Sequence, residues 1–148
     1  MLTIQVKSFD AFSIDELYDV LQLRSEVFVV EQDCVYQDID GKDRKALHVI
    51  GHDGNGKVVA YTRIFNAGDY FDKASIGRVV VSSTARAFGY GHEIIKASIA
   101  AIQEHYETKA IKISAQTYLR KFYTSHGFNQ IGEKYLEDGI PHIAMIRS

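Results

Sequence analysis

Residues 75–106 constrain this chain more than any other stretch. Ser75-Ile76-Gly77-Arg78-Val79-Val80-Val81-Ser82 is short and β-branched, the pattern of a strand. Arg86-Ala87-Phe88-Gly89-Tyr90-Gly91 comes next. From His92 to Tyr106, the residues Ile94, Ile95, Ser98, Ile99, Ile102 and Tyr106 then recur at helical spacing. A strand, an Arg-x-x-Gly-x-Gly turn and a helix in that order make a cradle for a phosphate group. The glycines admit close backbone approach and positive φ. Unpaired N–H groups in the first helical turn point at an anion, and Arg86 adds a planar cationic fork. The expected ligand carries a pyrophosphate, held by Arg86, Ala87, Phe88, Gly89, Tyr90, Gly91 and His92.

Other phosphate motifs fail on the residues. Gly89-Tyr90-Gly91 has Ile94 where a dinucleotide fingerprint needs its third glycine. Gly51–Val58 approaches a P-loop, but Val58 replaces the hydroxyl that would hold magnesium. Leu47–Ile50 and Val58–Tyr61 both read as strands, so Asp53–Lys57 is expected to be a hairpin loop. His92-Glu93-Ile94-Ile95-Lys96 begins like a zinc-protease helix, but Lys96 replaces the second histidine; no metal site is expected.

A chain of 148 residues suits a single domain spanning 1–148. Its formal charge of −2 gives no reason to expect nucleic acid as a partner. No apolar run approaches the roughly 20 residues of a membrane span. The first residues show no basic-then-apolar export signal, and Cys34, the lone cysteine, reads as structural. These features suggest a cytoplasmic protein without a membrane association.

Leu2–Lys7 alternates like a strand, and Ser13-Ile14-Asp15-Glu16 is a capping box. The helix it opens carries Leu17, Leu21, Arg24 and Phe28 on one side and loses its period near Glu31. Val58–Asn66 is expected to pair back on Leu47–His52. Hairpin strands followed by strand–helix–strand imply a mixed α/β architecture: a mostly antiparallel sheet with helices on both faces.

The loop at 86–91 resembles motif A of the GNAT N-acetyltransferases, which holds the pyrophosphate of acetyl-CoA. Ala110–Gln116 reads as a second strand, a helix at Tyr118–His126 follows, and Phe122-Tyr123-Thr124-Ser125-His126-Gly127-Phe128 resembles a further segment of that family. Leu23–Gln32, Asp40–Asp43 and Tyr135–His142 resemble its ElaA-like subgroup. The resemblance implies that strands 76–82 and 110–116 run parallel but splay apart. The pantetheine arm of CoA would then pair with backbone groups of Val79, Val80 and Val81. It also implies transfer of an acetyl group from acetyl-CoA to a primary amine of a small molecule or peptide by direct attack, and a homodimer is common on such folds. A non-catalytic acyl-CoA sensor is the alternative.

Transfer to an amine needs a base and an acid. The resemblance points to Tyr123 as the acid that meets the CoA thiolate, and to backbone N–H groups near Val79–Val81 for the oxyanion. Many family members place a glutamate on the strand before the loop, where this chain has Ile76-Gly77-Arg78. Candidates for the base are therefore Glu31, His48, Glu137, Asp138 and His142, the last close in sequence to two carboxylates. The side chains of His52, His92, His105 and His126 read as surface or structural groups. Strand alternation sets Arg78 on the face opposite Val79. Glu31–Asp43 is rich in acids and is expected to cover the acceptor cleft, favouring a cationic amine. Arg24, Arg44 and Arg63 are available for an anionic group on the acceptor.

Overall fold

The computed structural model describes residues 2–148. In chain order the elements are β1 (Thr3–Ser8), α1 (Ile14–Arg24), β2 (Leu47–His52), β3 (Val58–Phe65), β4 (Ala74–Val81), α2 (Tyr90–Tyr106), β5 (Ile111–Gln116), α3 (Arg120–Thr124), β6 (Asn129–Glu137) and β7 (Ile140–Arg147). The strands form one seven-stranded sheet in the order β1-β2-β3-β4-β5-β7-β6. Every neighbouring pair is antiparallel except β4–β5.

β3 is buried along its whole length because helices cover both faces of the sheet. On one face Val20, Leu23 and Val27 pack on Ile50, Val58, Tyr61 and Val80. On the other, Ile94, Ile95 and Ile102 of α2 pack against Val49, Val59, Ile64 and Ile111. The buried stripe of α1 is Val20, Leu23 and Arg24, with Val27 just beyond it; Leu17, Leu21 and Phe28 sit only half-buried at its margin. Ser13 caps α1 through Glu16 N–H (3.1 Å). The Glu16 carboxylate turns instead to Lys7 Nζ (2.6 Å) and so ties the helix to β1.

Three places depart locally from regular geometry. Beyond Arg24 the helix widens into a π-helical stretch, Ser25–Glu31, where the Gln32 N–H reaches back five residues to Val27 O (3.1 Å). In β4, Gly77 opposes Arg63 but Val80 opposes Tyr61, so Arg78 and Val79 share one place in the ladder. Arg78 takes a φ of 50°, the mark of a β-bulge. The simple alternation expected around Arg78 is broken there. Finally, β4 and β5 touch only at Ala74–Ile111 and Ser75–Lys112 before they diverge.

The helix expected at Tyr118–His126 is shorter. A 3-10 turn at Thr117–Leu119 leads into α3, which ends at Thr124. Thr124 Oγ1 donates to Arg120 O (2.8 Å) and Ser125 Oγ to Phe122 O (2.5 Å), so side-chain hydroxyls close the helix early. No helix among the described residues is long and apolar enough to cross a membrane.

Candidate active site

The divergence of β4 and β5 opens a cleft of about 580 Å³, within the ordinary range for a small-molecule site. Val79, Val80 and Val81 line one wall, Ile113, Ser114 and Gln116 the other. Because β5 has left β4, the backbone of this wall faces the gap instead of a partner strand. The loop expected to hold a phosphate follows β4 and also reaches the cleft. It begins as a 3-10 turn, Ser83–Phe88, and enters α2 through Gly89, whose φ of 73° is left-handed and suits glycine. Arg86 and Gly91 line the cleft, while Phe88 is exposed and Tyr90 turns into the core. The loop, the strand wall and the volume fit an acyl-CoA pyrophosphate and pantetheine arm. Arg86 would meet the former and Val79–Val81 the latter.

Tyr123 lines the cleft, held against Phe122 and Phe128 with ring centroids 5.1 and 6.0 Å away. Burial pushes its phenol well above the ordinary tyrosine value, so at neutral pH it is a proton donor only.

A further part of the lining is built by the β6–β7 hairpin. Turn residues Asp138 (φ 51°) and Gly139 (φ 77°) fold β7 back on β6, and Glu137 and His142 meet with Oε2 3.5 Å from Nε2. His142 Nδ1 lies 2.7 Å from Ile140 O. A carbonyl only accepts, so Nδ1 carries a proton, and in the neutral ring the lone pair falls on Nε2, the nitrogen beside Glu137. The other carboxylate oxygen, Glu137 Oε1, accepts from Ser114 Oγ (2.9 Å). Ser114 has one proton, so Tyr135, 2.5 Å from Ser114 Oγ, is the donor to it. Ser114 and Tyr135 extend the dyad into a chain of four groups. In sequence Ser114 is only a small polar residue within the β5 pattern; its role depends on the β5–β7–β6 register, which no local motif announces.

The other candidates for the base are placed differently. His48 is 1% exposed and bonded to Tyr61 Oη (2.5 Å) and Asp43 O (2.9 Å). It lies outside the cleft and is corrected to a core residue. Glu31 lines the cleft, but both of its oxygens hold Arg86, at 2.5 and 2.9 Å. Those hydrogen bonds keep its carboxyl below the usual glutamate range, which makes it a poor base. Asp138 lines the cleft, and its carbonyl receives Cys34 Sγ at 3.5 Å.

The acidic cover expected over the acceptor is not a free negative surface. Asp38, Asp40 and Asp43 are locked against Arg24, Arg63 and Arg78. Arg24 bonds Asp38 (3.0 Å) and Asp43 (2.9 Å), and Arg63 bonds Asp40 (2.9 and 2.7 Å) and Asp43 (3.0 Å). Arg78 Nε lies 2.8 Å from Asp38 Oδ1, an ion-pair contact in which the N–H does not aim at the oxygen. Burial alone would raise the Asp40 and Asp43 carboxyls; their arginine partners outweigh it and hold both low. Three cations and three anions cancel, so neither this acidic segment nor Arg24 and Arg63 is free for a substrate. Arg44 packs over the Phe9 ring (5.6 Å), away from the cleft.

Comparison with known proteins agrees with this geometry. The family described as an acetyltransferase (GNAT) domain matches residues 12–148. Protein ElaA of Escherichia coli K12 is 43% identical over 137 residues, covering 91% of this chain and 89% of its own. The crystal structure of Escherichia coli ElaA superposes with a TM-score of 0.92 at 40% identity over 100% of both chains. An acyl-CoA N-acyltransferase from Pseudomonas aeruginosa gives a TM-score of 0.92 at 39% identity, again over 100% of both. With its splayed β4–β5 pair, its Arg-x-x-Gly-x-Gly loop and this match over most of its length, the chain belongs to the GNAT acetyltransferase family.

Proposed function

We propose that this protein is an acetyl-CoA-dependent N-acetyltransferase that acts on a primary amine of a small molecule or peptide by direct attack. Family membership implies an acyl-CoA cosubstrate and an amine acceptor. The observation that carries the finer reading is that one cleft is lined by the His142–Glu137 pair, by Tyr123 and by Arg86 and Gly91 of the phosphate loop.

An amine with a pKa of about 10 is neutral in roughly one molecule in a thousand at pH 7, equivalent to about 4 kcal/mol. His142 Nε2, with its lone pair fixed by the Nδ1–H bond to Ile140 O, takes the amine proton, directly or through a water. Glu137 draws the cationic amine in and then stabilises the imidazolium. The amine nitrogen bonds to the thioester carbonyl carbon, and a backbone N–H of Val79–Val81 serves the oxyanion. As the C–S bond breaks, the Tyr123 hydroxyl donates to the departing thiolate. The nitrogen's remaining surplus proton returns to the Tyr123 oxygen through water, and the proton held by His142 is the one released to solvent with the products.

The test is thiol release from acetyl-CoA in the presence of a panel of primary amines, run beside direct binding of acetyl-CoA. Saturable, amine-dependent release supports the reading. Tight binding with no release for any amine would favour an acyl-CoA sensor. The locked Gly77-Arg78 bulge, which brings no strand carboxylate to the cleft, fits that second reading.

A further inference from the structure

Beside the phosphate loop lies a cluster that the proposed chemistry does not use. His92, the residue after Gly91, points Nδ1 at His126 Nε2 across 2.8 Å. Both rings pack on Phe122, with centroids 4.7 and 5.3 Å from it. Phe122 itself borders Gly91: a Cβ placed there would sit 3.6 Å from its ring. The pair is thus held against the loop by a shared aromatic platform.

We propose that His92 and His126 form a second anion site beside the Arg86–Gly91 loop, which takes a phosphate group of the acyl-CoA cosubstrate together with a proton. This rests on the acyl-CoA reading above.

Two imidazole nitrogens at 2.8 Å hold one proton between them, since neither two lone pairs nor two N–H groups are stable at that distance. The surroundings are cationic. Lys96 stands one turn along α2, and the Arg147 side chain of β7 donates to His126 O (2.9 Å). The charged groups that bear on His126 are His92 and Lys96 from α2 and Arg147 from β7. Together with burial, which acts most strongly, they push its imidazole below the usual histidine range. No carboxylate pairs with any of these four side chains among the described residues. On a chain of net charge −2, an unpaired cationic cluster beside the Arg86–Gly91 loop lacks a counter-charge that a phosphate supplies.

A bound phosphate favours the pair with one added proton, an imidazolium that donates across the contact to its neutral partner, so the pair holds that proton to higher pH in the complex than in the free protein. The added affinity is therefore full at pH values below the free pair's titration and is lost as pH rises through that of the complex. A ligand that takes up one proton changes affinity by up to ~10-fold per pH unit within that window.

The experiment is calorimetric titration of CoA and of 3′-dephospho-CoA into wild type and into His92→Gln/His126→Gln, from pH 5.5 to 8.5. Two buffers of different ionisation enthalpy count the protons taken up. Comparing variants with one ligand cancels the ligand's own phosphate titration. The expected result is proton uptake by wild type with CoA, and a wild-type advantage over the variant of roughly tenfold at low pH that vanishes at high pH. If the advantage persists with 3′-dephospho-CoA, the pyrophosphate is the group bound; if it disappears, the 3′-phosphate is. Equal pH profiles for wild type and variant, with CoA bound by both, would overturn the histidine site and leave the acyl-CoA reading standing. No CoA binding by either protein would overturn both. Imidazole C2–H shifts in wild type give an independent readout: on CoA addition, the ring that takes the added proton must move toward its protonated position.

Discussion

Glu31 clasps both terminal nitrogens of Arg86, across a sequence separation of 55 residues. On the acyl-CoA reading proposed above, the same guanidinium is the fork for a pyrophosphate, so the carboxylate and the phosphate would compete for one cation. The pair is exposed, 44% and 41%, and such pairs contribute only ~0–1 kcal/mol. Glu31→Gln is therefore expected to tighten CoA by roughly two- to fivefold at low salt. Isothermal titration at low and high ionic strength checks this, with a smaller gain at high salt. Weaker binding by the variant would mean that Glu31 holds Arg86 ready rather than in reserve.

Tyr123→Phe removes one oxygen from a buried ring that keeps its contacts with Phe122 and Phe128. Turnover should fall by about 10²-fold or more while the dissociation constant for CoA stays within about a factor of two. Steady-state kinetics and direct binding separate the two. Unchanged turnover would remove Tyr123 from the mechanism.

His142→Asn should lower kcat/KM by roughly 10²-fold and abolish the fall in rate on the acid side of the pH profile. Ser114→Ala leaves Glu137 Oε1 without its donor. A smaller loss, roughly threefold to tenfold, is expected there, with the acid limb displaced and still present. An acid limb that survives in His142→Asn would assign the base to another group.

Asp43 bridges Arg24 and Arg63, both 1% exposed. Asp43→Ala strands buried positive charge and should cost about 3–5 kcal/mol in urea unfolding at pH 7. The Asp43 and Asp40 carboxyls titrate below their unfolded values, so their contribution is complete above the unfolded carboxylate pKa, about 4. It is lost as pH falls through the folded values. The gap between wild type and variant must therefore narrow in acid. A gap that is equally wide at pH 3 would contradict the linkage.

What the sequence made legible was local in the chain. Strand, loop and helix at 75–106 are contiguous, and the glycines and β-branched residues that shape them act over a few positions. His142 and Glu137 were readable as a pair because a tight hairpin joins them. The arginine–aspartate cluster was not, since Arg24, Arg63 and Arg78 reach Asp38, Asp40 and Asp43 only after β3, β4 and the loop before β2 have assembled. An acid-rich loop looks the same in sequence whether solvent or buried guanidinium groups face it. The bulge at Arg78 and the π-helical turn at Ser25–Glu31 also left no local mark, because neither residue 78 nor the stretch 25–31 is a glycine or proline that would demand it.

The weld between β4 and β5 is two residue pairs wide. Mechanically, the sheet is two leaves, β1–β4 and β5–β7, on one short spine, with α2 and the core beneath them acting as binding cloth. Whatever lies in the cleft touches both leaves and adds its own binding free energy to the work of parting them. Amide exchange in Val79–Val81 and in the facing stretch of β5 should accordingly slow together when acyl-CoA is present. Resistance of the folded chain to unfolding should then rise with the concentration of acyl-CoA supplied to it.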